Sequence, residues 1–210
     1  GYDPDKISRL IKAVEKVEQD PQNAHFHASV GEAYRNLERY DTAIHAYQKA
    51  IELQPENAGH YFSLGGVYDR QSQHEDAIAA YHEAIQRNPQ YDSAYNNLGG
   101  IYFKQGRFDK AIAAYQTALD LSPKVDYYYA NLATVYVHQQ KFTRAKDAYK
   151  NTLRLNYRSW LGYMGIASIE RQTGQLNHFY DYLLKARMLI PDKYHYHRAR
   201  LESIAGNVDA

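Results

Sequence analysis

Ten histidines and no cysteine pose the first chemical question, whether imidazoles in this 210-residue chain are placed to hold a metal. His25 and His27 are two residues apart, as are His195 and His197. On a helix that spacing turns the two rings roughly 200° apart, which does not make a chelating pair. There is no H-E-x-x-H, no glycine-rich phosphate loop and no G-x-S-x-G, and without cysteine there is neither a thiolate nucleophile nor a cysteine-ligated zinc. These absences predict a chain that is not an enzyme and holds no metal or cofactor. The side chains left to do chemistry are amides, cations and aromatic rings, the groups that grip another polypeptide.

The elements that would position them are legible from 22 tyrosines against six phenylalanines. Tyr34, Tyr68, Tyr102 and Tyr136 are spaced by 34; so are Tyr47, Tyr81, Tyr115 and Tyr149, and Tyr61, Tyr95, Tyr129 and Tyr163. Pro21, Pro55, Pro89 and Pro123 keep the same step, and Pro191 lies two steps further on. A period held by independent residue types marks stacked structural repeats. Inside one period the spacing is helical. Tyr61, Leu64, Gly65 and Tyr68 share one face, Ala77, Ile78, Tyr81, Ala84 and Ile85 share another, and the polar stretch 69–76 turns between them. Small residues such as Gly65 and Ala77 allow close approach, and Pro89 ends the second helix. The tyrosine, alanine and glycine ladders are therefore read first as packing positions.

With those residues in place the chain resembles the tetratricopeptide repeat (TPR) family, whose signature is similar to W-x2-L-G-x2-Y, A-x3-F-x2-A and P. Residues 58–91 and 92–125 carry every position, through Tyr61, Leu64, Gly65, Tyr68, Ala77, Tyr81, Ala84 and Pro89 and through Tyr95, Leu98, Gly99, Tyr102, Ala111, Tyr115, Ala118 and Pro123, with tyrosine standing for Trp and Phe. Residues 24–57 place His27 and Val30 at the first two positions. Residues 126–159 depart at Ala133, Thr152 and Tyr157, and 160–193 depart at Glu170 and Phe179. Residues 1–23, with Ile7, Leu10, Ile11, Val14 and Val17 on one face, resemble the second helix of a leading partial repeat. Residues 194–210, with Leu201, Ile204 and Ala205 before Gly206 and Asn207, read as a closing helix. The expected fold is all-α: a right-handed superhelical solenoid of helix-turn-helix hairpins with capping helices at both ends.

The resemblance implies that an extended peptide or a partner helix binds the concave surface formed by the first helices. At the sixth position of each repeat stand Ser29, Ser63, Asn97, Asn131 and Gly165. Asn97 and Asn131, with Asn96 beside them, are expected to grip a peptide backbone, because an amide donates and accepts at once. Near the end of each first helix come Arg35, Arg70, Lys104, His138 and Arg171, a row suited to acidic groups, which Glu32 and Asp69 interrupt. Phe62, Phe103, Tyr127, Val137 and Met164 are the expected apolar contacts, Phe62 and Phe103 being the anchors. The two-carboxylate clamp of chaperone-tail adaptors is not matched, since its positions hold Ala28, Glu32, Ser63, Ser93 and Asn97, or Phe62, Gly66, Asn97, Tyr127 and Asn131.

The charge balance of +1 excludes a strongly basic nucleic-acid binder, and the apolar runs are too short for a membrane-spanning helix. Residues 1–91 hold 9 Lys+Arg and 14 Asp+Glu, against 16 and 10 in 92–210. The basic excess, mainly Lys141, Arg144, Lys146, Lys150, Arg154 and Arg158, is expected on an outward helix face. The expected function is a non-catalytic interaction scaffold whose partner is a protein or peptide carrying acidic groups. The alternatives are the substrate-selecting arm of a larger, glycosyltransferase-like enzyme and a self-assembling scaffold. The chain opens on Gly1, so a preceding signal or anchor, and with it the compartment, stays open.

Overall fold

The computed structural model describes residues 3–176 and 178–206, and among them it is helical throughout, with no strand. The Asn207 end expected for the closing helix lies outside the described residues. The chain divides into two compact units, Gly1–Ile101 and Tyr102–Ala210. The first holds α1 (Pro4–Gln19), α2 (Ala24–Asn36), α3 (Tyr40–Leu53), α4 (Ala58–Arg70), α5 (His74–Arg87) and most of α6 (Asp92–Lys104). The second holds the end of α6 with α7 (Phe108–Leu121), α8 (Asp126–His138), α9 (Phe142–Leu155), α10 (Trp160–Thr173), α11 (Phe179–Leu189) and α12 (His195–Ala205). The all-α fold class expected from the periodicity is what the structure has.

In the first unit α2 pairs with α3 and α4 with α5, and α1 lies against α2. The core is Ala43, Tyr47, Leu64, Val67 and Ala80, with Tyr34 and Tyr68 packed on it. The glycines are there for the tyrosines. A methyl on Gly31 would stand 3.0 Å from the Tyr47 ring, a tight contact, and one on Gly65 2.9 Å from Tyr81, closer than side-chain carbons approach. Each ring thus lies directly on the backbone of the facing helix, which makes these hairpins tight.

In the second unit the same hairpins recur as α8 with α9 and α10 with α11. Here Met164, Ala167, Phe179, Ala186, Ile190, Leu201 and Ile204 form the core, so α12 buries Leu201 and Ile204 as the pattern predicts. Two residues that break the repeat signature are accommodated by polar bonds. Thr152, fully buried, donates its hydroxyl hydrogen to the Asp126 carbonyl at 3.2 Å. Glu170, 2% exposed, receives the Lys146 ammonium at 2.7 Å. That pair corrects the expectation for Lys146, whose side chain turns inward to a buried carboxylate and does not join an outward basic face. A carboxylate so buried needs a partner charge, because desolvating it alone costs on the order of several kcal/mol.

The turn inside every hairpin is built alike. Glu38, Ser72, Gly106, Gln140 and Gly174 all have positive φ, between 56° and 72°. Each is followed by a bond that closes the preceding helix: Arg39 N to Tyr34 O, Gln73 N to Tyr68 O, Arg107 N to Tyr102 O, Lys141 N to Tyr136 O and Gln175 N to Glu170 O, at 2.8–2.9 Å. This left-handed closure satisfies carbonyls that the helix end would leave open.

Candidate peptide-binding surfaces

In the first unit the basic row is partly assembled. Arg35 at the end of α2 and Arg70 at the end of α4 line one cleft of about 230 Å³ together with Lys6, Asn36, Glu38 and Tyr40. Arg35 also reaches Glu32 at 3.4 Å, an exposed pair of the kind that contributes little to stability. Arg70 is exposed. The cleft lies at the turn ends of the hairpins, since Glu38 is in the turn after α2 and Tyr40 opens α3.

The expected anchor Phe62 is half-buried, stacked on Tyr91 with centroids 4.7 Å apart and tilted against Tyr81 at 5.7 Å. It packs within its own repeat, 58–91, and offers only part of its ring outward. Asn97 donates its amide to the Tyr81 hydroxyl at 3.1 Å and accepts from the Asn96 amide at 3.3 Å. The sixth position has the same use one repeat earlier, where Ser63 hydrogen-bonds the Tyr47 hydroxyl. Burial pushes Tyr81 up to about 12, opposed in part by the Asn97 bond, and Tyr47 is raised by burial as well. The sequence hides this role because the two partners are 16 residues apart on different hairpins.

In the second unit Phe103 is half-buried, its ring meeting His138 edge-on at 4.8 Å and Phe108 at 5.9 Å. Tyr127 stays 48% exposed, edge-on to Tyr128 at 4.6 Å. Lys104 is exposed and Asn131 half-buried. Arg171 donates to the Ser203 carbonyl at 2.8 Å, which ties α10 to α12. Met164 is 3% exposed and belongs to the core, a correction to its reading as a groove residue. It reaches a small enclosed cavity of about 40 Å³ that Val137 and His138 also line.

Two features went unread in the sequence. Cations lie over tyrosines of the ladders, with Arg87 3.9 Å over half-buried Tyr61, and Arg107 4.7 Å and Arg144 6.0 Å over the buried Tyr102 and Tyr136. Arg144 therefore has a partner ring of its own. On α11, Tyr180, Leu184 and Met188 form an exposed apolar stripe at four-residue steps, in a unit whose sequence departs furthest from the signature. His60 is buried, and burial together with nearby His25 lowers its pKa. Among the described residues no group of three or more His, Asp or Glu is gathered as metal ligands, and no helix is long and apolar enough to cross a membrane.

Comparison with solved structures places these hairpins among known proteins. MamA is 25% identical, with a TM-score of 0.69 over 79% of this chain and 90% of that one. PilF of Pseudomonas aeruginosa is 18% identical, with a TM-score of 0.78 over 94% and 90%, and so shares the fold. YrrB, described as a TPR protein with an unusual peptide-binding site, is 15% identical, with a TM-score of 0.65 over 90% and 97%, and likewise shares the fold. No curated protein sequence matches the chain. The tetratricopeptide repeat profile matches residues 9–58, 30–91, 67–126 and 131–186, and a second profile of the same description matches 102–158. The recurring tyrosine-on-glycine hairpins and these matches along most of the chain make it a member of the tetratricopeptide repeat family.

Proposed function

We propose that this chain is a non-catalytic interaction module that binds an acidic peptide segment of a partner protein on surfaces presented by its first helices. The observation that carries the reading is the cleft in which Lys6, Arg35 and Arg70 converge from three different helices. Three cations around one concavity favour carboxylates, and arginine can take a carboxylate through two parallel bonds. Glu38 on the rim, with Glu32 beside Arg35, sets register by repelling acids from one side. In the second unit exposed Tyr127, with Asn131 and Lys104, is the corresponding contact surface proposed. That YrrB is described as having a peptide-binding site, and MamA shares a quarter of its residues, supports an interaction role of this general kind.

Selection from a random peptide library displayed on phage tests the reading. The chain is expected to enrich peptides rich in Asp and Glu, and the R35E/R70E variant to bind them about tenfold or more weakly, since reversing two charges removes attraction and adds repulsion. Failure to enrich acidic peptides, or equal binding by a variant of unchanged helicity, would overturn it.

A further inference from the structure

A groove of about 620 Å³ lies between α1 and α2. Its lining follows from the repeat register. One period before Ala43, Tyr47 and Ala50 stand Arg9, Ala13 and Lys16, and all three line the groove. In the complete hairpins those second-helix positions are where the first helix of the same hairpin sits. Ala43, Ala50, Ala77 and Ala84 are wholly buried, and Tyr47 and Tyr81 lie on Gly31 and Gly65. On α1 the tyrosine is replaced by Ala13, and the flanking alanines by two exposed cations. The groove is thus the seat of a hairpin's first helix, deeper by most of a ring and basic at both ends.

Its charge is sorted. Lys6, Arg9, Lys12 and Lys16 all line it, whereas the acids of α1, Asp5, Glu15 and Glu18, do not. Glu32 is the carboxylate on the α2 side, and it is paired with Arg35. A helix end that only had to face water would be served by either sign mixed. Segregated cations beside a small apolar floor instead suit a ligand of stated shape and charge.

We infer that this groove docks an acidic amphipathic helix from a partner protein. The helix runs antiparallel to α1, as first and second helices do within a hairpin. It carries a bulky apolar residue over Ala13 and a Glu or Asp one turn to each side, opposite Lys16 and Arg9. In sequence the ligand reads acid-x3-apolar-x2-acid, the spacing that puts all three side chains on one helix face. The seat adjoins the Arg35–Arg70 cleft, sharing Lys6 and Asn36 with it, but Arg9, Ala13 and Lys16 line the seat alone.

Fluorescence anisotropy with the full chain and a labelled synthetic helix tests the inference. The helix is patterned on residues 58–70, with Glu at its fourth and eleventh positions and Leu at its eighth. Binding is expected to weaken about tenfold or more in R9E/K16E and to return when the two peptide acids are exchanged for lysines. The R70E variant should bind this peptide as the parent does, since Arg70 lines the cleft and not the seat. Arg9 and Lys16 are exposed, so R9E/K16E is expected to keep the parent's melting. No binding, binding indifferent to the charge exchange, or loss in R70E with R9E/K16E unaffected would overturn the inference. So would a concentration-dependent dimer in sedimentation that R9E/K16E abolishes, because the occupant would then be a second copy of this chain.

Discussion

At the residue scale the instructive side chain is Asn97. Its spacing from Asn131 suggests a peptide contact, yet its amide is held by the Tyr81 hydroxyl, and Ser63 is placed the same way on Tyr47. The sixth position therefore ties one repeat to the next before it offers anything to a ligand. Asn97→Ala should cost about 1 kcal/mol in chemical denaturation, the usual net worth of such a bond. It should also raise the Tyr81 pKa further, since the bond favours the phenolate. A double-mutant cycle with Tyr81→Phe that shows no coupling would count against this assignment. The identity of Asn97 was legible in the sequence, but its partner was not, because hairpin-to-hairpin contacts leave no local pattern.

At the element scale the helices were legible and their turns were not. The apolar faces repeat by residue type, so Tyr47, Tyr81, Gly31 and Gly65 announce both helices of each hairpin. The left-handed turn position is held by Glu38, Ser72, Gly106, Gln140 and Gly174, which share a backbone conformation and no chemistry. A conformation that any of these residues is forced into by its neighbours cannot be read from type. Only glycine adopts it without a clash between Cβ and carbonyl. Replacing exposed Glu38, Ser72 and Gln140 by glycine should each stabilise the chain by roughly 0.5–1 kcal/mol. Thermal melting of the triple variant checks this, and a lowered melting temperature would show that these side chains do more than turn the chain. The signature breaks at Thr152 and Glu170 were legible as departures, while the bonds that satisfy them, to Asp126 and Lys146, required the fold.

At the scale of the whole molecule, stability should be bounded by the tyrosines on the alkaline side. Burial raises the pKa of Tyr47, Tyr81, Tyr115 and Tyr149, with Tyr81 near 12. In the unfolded chain these phenols ionise near their ordinary value of about 10. The folded state thus favours the neutral form, so the stabilisation is complete below about pH 10 and is lost as the pH rises through the folded values. The buried ladder should ionise only as helicity falls. Smooth titration of all tyrosines with the helices intact would contradict the packing described. On the acid side His60 acts in the opposite sense. Its depressed pKa contributes stability above the ordinary histidine range that is lost as the pH falls through it.

The central claim is that an acidic peptide is held where Arg35 and Arg70 converge, and chemical-shift mapping tests it most directly. An acidic peptide selected by the chain is titrated into isotope-labelled protein, and the backbone amides that move are assigned. The account predicts shifts concentrated at the turn ends of α2 and α4, around Arg35, Glu38 and Arg70, that disappear in R35E/R70E. Shifts confined to the basic stretch 141–158, or to the apolar stripe of α11, would contradict it.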